Sequence, residues 1–186
     1  MDEAFFSQFQ IRRLGIEERV ATFNCGDEDL NDFIINEALP YRRAMLAVTY
    51  VFEHKQTKQV AAFFSLAHDK VSISDFENNT EFNRFRRKRF INEKRLRSYP
   101  AIKLCRFGVD ESVRGHHIGS NIIKYIKTLY ALNDRAGCRF LTVDAYNSAV
   151  PFYEHNGFLP LGESSVDQPT KAMFFDLNDI EKELKQ

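Results

Sequence analysis

The segment Val109-Asp110-Glu111-Ser112-Val113-Arg114-Gly115-His116-His117-Ile118-Gly119-Ser120-Asn121 joins two elements of different character. Before it, Ala101 to Val109 (Ala-Ile-Lys-Leu-Cys-Arg-Phe-Gly-Val) reads as a buried strand. After it, Ile118, Ile122, Ile126 and Leu129 recur at helical spacing, with Ile123 and Tyr130 beside them. This pattern predicts a helix from about Ile118 to Ala136, closed by Gly137. The N–H groups of a helix start have no intrahelical acceptor, and the helix dipole favours an anion there. Gly115 and Gly119 let the backbone come close to such a ligand. A pyrophosphate suits this strand–turn–helix. The plain alternative is an ordinary strand-to-helix connection.

Working outward, Phe9 to Leu14 alternates and reads as a first strand. Asp27 is placed to cap a helix whose apolar stripe is Leu30, Phe33, Ile34 and Ala38, and Pro40 sits near its end. Leu46 to Glu53 and Gln59 to Ala67 form a hairpin of β-branched and aromatic residues. Asp75 to Arg97 is polar and includes helix. Phe140 to Ala145 is the next strand, and Ser148 to His155 a short helix closed by Asn156-Gly157. Phe158 to Leu161 and Lys171 to Leu177 are final strands, and Asn178-Asp179 opens a terminal helix. No repeat or linker divides the chain, so residues 1–186 are expected to form a single domain.

The chain has 186 residues, 26 basic and 26 acidic, with 44% hydrophobic and 13% aromatic content. Such a composition excludes a disordered or collagen-like chain. A pI near 7.0 excludes a globally basic nucleic-acid protein. Eighteen Phe and no Trp predict a Phe-rich core. The acidic opening Met1-Asp2-Glu3-Ala4-Phe5-Phe6 lacks the order of a signal peptide. No apolar run nears the roughly 20 residues of a membrane span, so no membrane partner is expected, and three scattered cysteines are expected of a reducing, cytoplasmic setting. Cys25, Cys105 and Cys138 are far apart and form no CxxC pair. His116-His117 has no acid or Cys partner at ligand spacing, so no metal is expected.

A second segment lies downstream: Asn147-Ser148-Ala149-Val150-Pro151-Phe152-Tyr153-Glu154-His155-Asn156-Gly157-Phe158. The order strand, Arg-Gly-x-x-Ile-Gly-Ser, long helix, strand, then this segment resembles the GNAT superfamily of acetyl-CoA-dependent N-acetyltransferases. Arg114 to Gly119 resembles that family's (Arg/Gln)-x-x-Gly-x-(Gly/Ala) pyrophosphate loop. Asn147 to Phe158 resembles its Asn-x-x-Ala-x-x-Phe-Tyr-x-x-x-Gly-Phe element. The resemblance covers roughly residues 100–160. It implies an α/β (α+β) GNAT-like domain with a central mixed, mostly antiparallel sheet of about six to seven strands flanked by helices. His117 stands where the family usually has Gly; its side chain could crowd the phosphate or change the turn.

The resemblance also implies the chemistry: direct attack of an amine on the acetyl thioester in a ternary complex, with acetyl-CoA as co-substrate. Backbone groups of Phe107, Gly108 and Val109 would bond the pantetheine arm. The N–H groups of Arg114, Gly115, His117, Gly119 and Ser120 would take the pyrophosphate, and Asn147 would contact the pantetheine. The Val109 N–H would stabilise the charge that grows on the thioester oxygen. Tyr153 matches the family's general acid; a phenol with a pKa near 10 keeps its proton at neutral pH. Its alternative is a packing role in the core. Tyr146 is a second candidate acid. Glu111, Asp144, Glu154 and His68 are equally open as a base.

Two further features resemble the acetyltransferase toxins of bacterial toxin–antitoxin pairs, which acetylate the α-amino group of aminoacyl-tRNA. One is Phe23-Asn24-Cys25-Gly26-Asp27-Glu28-Asp29-Leu30-Asn31-Asp32-Phe33-Ile34; the other is Tyr99-Pro100-Ala101-Ile102-Lys103-Leu104. Cys25 itself reads first as a small apolar packing residue before a helix cap. Arg84, Arg86, Arg87, Lys88, Arg89, Lys94, Arg95 and Arg97 face one acid, Glu93, within fourteen residues. Such a run can neutralise phosphates, and the interleaved Phe82, Phe85 and Phe90 can stack on bases. The alternative is a solvated basic helix whose Phe residues pack inward. An acidic antitoxin protein could use the same patch. A small amine or a protein amine remains open as acceptor, as do a homodimer and a non-catalytic module that binds acetyl-CoA or RNA.

Overall fold

The computed structural model describes residues 6–90, 96–132, 136–162 and 168–184. Its strands are β1 (Phe9–Arg13), β2 (Val48–His54), β3 (Val60–Ser72), β4 (Ser98–Val109), β5 (Phe140–Tyr146), β6 (Leu159–Pro160) and β7 (Thr170–Asp176). They form one seven-stranded mixed sheet in the order β1-β2-β3-β4-β5-β7-β6. The pairings β1–β2, β2–β3, β5–β7 and β6–β7 are antiparallel. This is the sheet that the family resemblance implies.

Backbone contacts group the chain into two compact units. The first comprises residues 1–67 and 104–124, the second residues 68–103 and 125–186. In the first unit, Asp27 caps helix α1 as expected, its Oδ1 accepting from Leu30 N at 3.0 Å. Helix α1 begins as Glu28–Asp32, widens to a π-helical turn over Phe33–Glu37 and continues as Ala38–Arg43. The helix therefore runs through Pro40 rather than ending there. Proline has no N–H to give and crowds the preceding turn, and the wider π turn just before it relieves that conflict. Phe33, Ile34 and Ala38 pack with Leu14, Val20, Phe23, Val51 and Phe63 into one apolar cluster.

In the second unit, helix α2 (Asn79–Arg87) is capped by Asn78, whose Oδ1 accepts from Glu81 N at 2.9 Å. Its Phe82 and Phe85 enter a cluster with Val71, Tyr99, Phe140 and Phe174. Among the described residues, seven of the large fully buried side chains are Phe, so the core is Phe-rich as its composition predicts. Helix α3 is Ile118–Ala131, shorter than the expected range to Ala136, with Ile118, Ile122, Ile123 and Ile126 buried. Residues 133–135, within its expected end, lie outside the described residues. Helices α4 (Val150–His155) and α5 (Leu177–Leu184) complete the chain. Among the described residues, no helix is long and apolar enough to cross a membrane.

Candidate active site

The first unit carries the loop. Strand β4 alternates at its end, with Gly108 buried and Phe107 and Val109 half-buried. Glycine is required at 108 because a Cβ there would stand 2.9 Å from the Phe63 ring and 3.2 Å from that of Phe23. The strand can therefore lie directly on those two rings, which meet edge to face at 5.2 Å. Asp110 ends it: its N–H donates to Ala61 O at 2.9 Å, and its carboxylate accepts from Ser112 N at 3.0 Å and Ser112 Oγ at 2.6 Å. Burial pushes the Asp110 carboxyl up, and the Ser112 and Asn24 donors outweigh it and hold the group below its ordinary pKa.

The turn that follows has two left-handed residues, Gly115 at φ +87° and His117 at φ +55°. A Cβ at Gly115 would meet nothing within 4 Å, so the turn presents an open face. Gly115 and His117 are exposed, Gly119 and Ser120 half-buried, and α3 starts at Ile118. An exposed helix start of this shape fits a diphosphate held by backbone N–H groups. His117 does not force another turn, because it takes the backbone shape that Gly adopts freely. His is among the residues that tolerate this region, at some cost. Left-handed backbone costs about 1–2 kcal/mol and the extra chain freedom of Gly about 0.5–1 kcal/mol. His117→Gly is therefore expected to stabilise the fold by up to about 1 kcal/mol. A urea denaturation midpoint checks this; a fall in stability would show that the imidazole makes a compensating contact.

Arg114 is not a free cation. Its Nη2 donates to Cys25 O at 2.6 Å, and its Nη1 lies 3.2 Å from Glu111 Oε1. Glu111 is thereby engaged, as is Asp144, which pairs with Lys103 at 2.5 Å. All four candidate bases, His68 and Glu154 included, are exposed. Cys25 is buried, and burial pushes its thiol up, which fits a packing residue. A cleft of about 720 Å³ in this unit is lined in part by Arg12, Glu18 and Glu53. Its charges answer one another, since Arg12 donates to Glu18 at 2.5 Å and to Glu53 at 2.6 Å, and it contains none of the expected site residues.

The second unit carries Asn147 and Tyr153. Asn147 is exposed at the end of β5, and its Nδ2 donates to Gln168 O at 2.9 Å. Tyr153 is 6% exposed on α4. Its ring meets Phe152 at 5.2 Å and Phe158 at 5.3 Å, both edge to face. Burial pushes its phenol well above its ordinary pKa. Tyr146 is more exposed. Sequence reasoning missed Lys127, because a lysine on an amphipathic helix reads as solvated. Lys127 is 7% exposed; its Nζ lies 3.5 Å from the Phe175 ring centroid and donates to Asn156 O. It thus places a cation at the C-terminal end of α4.

The basic segment divides by facing. Arg84, Arg87 and Lys88 are exposed and, with Thr80 and Asn83, line a cleft of about 540 Å³. Arg86 is half-buried with its guanidinium 5.7 Å from the Phe82 centroid. Arg89 is turned inward, 4.2 Å from the Phe85 ring and 4.7 Å from Phe174, and lies 3.7 Å from Asp176. Phe82 and Phe85 pack inward, so they are not bases' stacking partners; Phe90 stacks on Tyr99 at 4.3 Å. The outward cationic face is therefore smaller than the sequence run. Lys94 and Arg95 lie outside the described residues.

Solved structures of known proteins share this fold. AtaTR bound with AcCoA aligns at a TM-score of 0.75 and 21% identity, over 96% of this chain and 99% of that one. AtaT complexed with acetyl-methionyl-tRNAfMet gives 0.74 and 20%, over 95% and 99%. A tyrosine-to-phenylalanine mutant of KacT gives 0.74 and 19%, over 94% and 98%. At these identities the likeness shows the fold. The family described as acetyltransferase (GNAT) domain matches residues 54–170, which include β4, the loop, α3 and the Asn147–Phe158 segment. With well over half of its length matched, the chain belongs to the GNAT acetyltransferase family.

Proposed function

We propose that residues 1–186 act as one cytoplasmic domain that moves the acetyl group of acetyl-CoA to the α-amino group of aminoacyl-tRNA. The observation that carries the donor half is the exposed, left-handed turn at the start of α3. Its N–H groups at Gly115, His117, Gly119 and Ser120 hold the diphosphate, the Arg114 N–H expected beside them being turned to Glu111 O at 3.4 Å, while the β4 backbone at Phe107, Gly108 and Val109 and the Asn147 amide hold the pantetheine. Acetyl-CoA supplies the activated acyl group. The amine nitrogen bonds to the acetyl carbon as the carbon–sulfur bond breaks. The Val109 N–H faces the charge on the thioester oxygen. Tyr153 gives its phenolic proton to the departing sulfur, the nitrogen releases its own proton to solvent, and solvent returns one to the Tyr153 phenolate. An α-amino group, with a pKa near about 7.7–8.0, is substantially neutral at working pH without a dedicated base.

The acceptor half is supported by the Arg84, Arg87 and Lys88 face, three cations around one open cleft. It is also supported by the AtaT neighbour, which was complexed with an acetylated aminoacyl-tRNA. An acetylation assay on total aminoacyl-tRNA beside a panel of free amines tests it. Charged tRNA is expected to be the better acceptor. Replacing Arg84, Arg87 and Lys88 with Ala should lower kcat/KM on tRNA about tenfold and flatten its log–log salt slope by up to about three. Preference for a free amine, or an unchanged salt slope, rejects the RNA acceptor.

A further inference from the structure

The Phe23–Asp27 turn and the Asp110–Arg114 turn are almost ninety residues apart in the chain, yet they are fastened together. Asn24 N donates to Asp110 Oδ2 at 3.0 Å, and Glu111 N donates to Asn24 O at 2.9 Å. Asn24 Nδ2 donates to Glu111 Oε2 at 3.2 Å. Arg114 reaches back to the Cys25 carbonyl and to Glu111, as described above. The far side of the turn is fixed in its own right. Asn24 Oδ1 accepts from Gly26 N at 3.0 Å and Asn31 Nδ2 at 3.1 Å, and Asn31 Oδ1 accepts from Cys25 N at 2.8 Å. The network thus ties the loop to the capped start of α1.

Gly26 is the tight point. Its φ is +77°, and a Cβ there would stand 2.7 Å from Glu111 Oε1 and 3.3 Å from Arg114 Nη2. Beyond Arg114 the loop has its two left-handed residues and an open outer face at Gly115. A short exposed turn with unfavourable backbone angles keeps one shape only if something holds it. If it were loose, each residue ordered on ligand binding would weaken affinity severalfold.

We propose that the Asn24–Gly26 turn is a brace for the diphosphate loop: Asn24, Gly26 and Glu111 are positioning residues that preset the Arg114–Gly115 backbone for the diphosphate of acetyl-CoA. The inference rests on the loop being the diphosphate site. Arg114 serves as the bolt between the two turns rather than as a mobile phosphate clamp. Glu111 is likewise removed from the list of candidate bases, since both its oxygens are engaged.

The test measures CoA binding by calorimetry in the parent protein and in Asn24→Ala and Glu111→Gln. Ligand-free melting temperatures show that each variant is folded. Asn24→Ala is expected to raise the Kd for CoA about tenfold. Glu111→Gln keeps an acceptor for Arg114 but loses the charge, and should fall between. Activity with acetyl-pantetheine, which lacks the diphosphate, should stay within about twofold of the parent in both. Gly26→Ala adds the steric arm; if it does not fold, the other two variants carry the test. An unchanged Kd, or an equal loss with acetyl-pantetheine, overturns the brace. A parent protein that binds CoA no better than pantetheine overturns the loop assignment itself, before any variant is compared.

Discussion

Tyr153→Phe is expected to lower kcat by about 100- to 1,000-fold while the Kd for acetyl-CoA stays within about twofold. The substitution removes one oxygen and keeps the ring that packs against Phe152 and Phe158. The surrounding frame does not depend on the hydroxyl: Phe158 N donates to Tyr153 O at 3.0 Å, Gly157 N to Glu154 O at 2.9 Å, and Asn156 Nδ2 to Phe152 O at 2.8 Å. Stability should therefore change by no more than about 1 kcal/mol. The pH dependence carries a second signature. A general acid works while it holds its proton and stops as pH rises through its pKa. Burial raises the Tyr153 value above its ordinary 10.0, so that loss moves to higher pH. The rate should climb as the acceptor amine deprotonates, near pH 7.7–8.0 for an α-amino group, and then hold level to about pH 10. Steady-state kinetics from pH 6 to 10 check both parts. An unaltered kcat in Tyr153→Phe removes Tyr153 as the acid. A falling limb below pH 10 that survives the substitution assigns that limb to another group.

Much of the site was legible because its signals are local. The Ile118, Ile122 and Ile126 spacing marks α3, and Gly115 before it marks a turn whose left-handed backbone most side chains avoid. Asp27 was readable as a cap from its position before an apolar stripe. The features that sequence could not show are those made by distant or opposed preferences. The Asn24–Glu111 fastening joins residues with no common pattern. Pro40 signals an end to α1, and only the π-helical turn ahead of it lets the helix continue. In 84–97 the charge run was plain, but facing was not. The spacing of Phe82 and Phe85 already defines an inward side of α2, and Arg86 follows that side. Arg89 lies beyond the helix end, where periodicity no longer applies, and its direction is set by Asp176, nearly ninety residues later.

Asp176→Ala is expected to destabilise the protein by about 3 kcal/mol, a melting shift of roughly 6–12 °C for a chain of this size. Asp176 is 8% exposed and answers two guanidinium groups. Arg139 Nη2 donates to its Oδ2 at 2.9 Å and Arg139 Nε lies 2.8 Å from its Oδ1 as an ion pair without hydrogen-bond geometry; Arg89 Nε lies 3.7 Å from Oδ2. Both arginines are packed on rings, Arg89 on Phe85 and Phe174 and Arg139 on Phe90 at 4.8 Å. Burial pulls the Arg89 guanidinium below its ordinary pKa, and Asp176 opposes that pull. Without the carboxylate, two cations remain among aromatic rings with their mutual repulsion no longer answered by Asp176 and opposed only in part by Asp179. Arg89→Met, which keeps the stem and removes one cation, should cost only about 1 kcal/mol, because Arg139 still satisfies Asp176. The comparison bears directly on the RNA proposal. If Arg89 is part of the fold, Arg89→Met measured well below its melting temperature keeps the parent's salt slope on charged tRNA, whereas loss of Arg84, Arg87 and Lys88 flattens it. A flattened slope in Arg89→Met, with the fold intact, would return Arg89 to the nucleic-acid face.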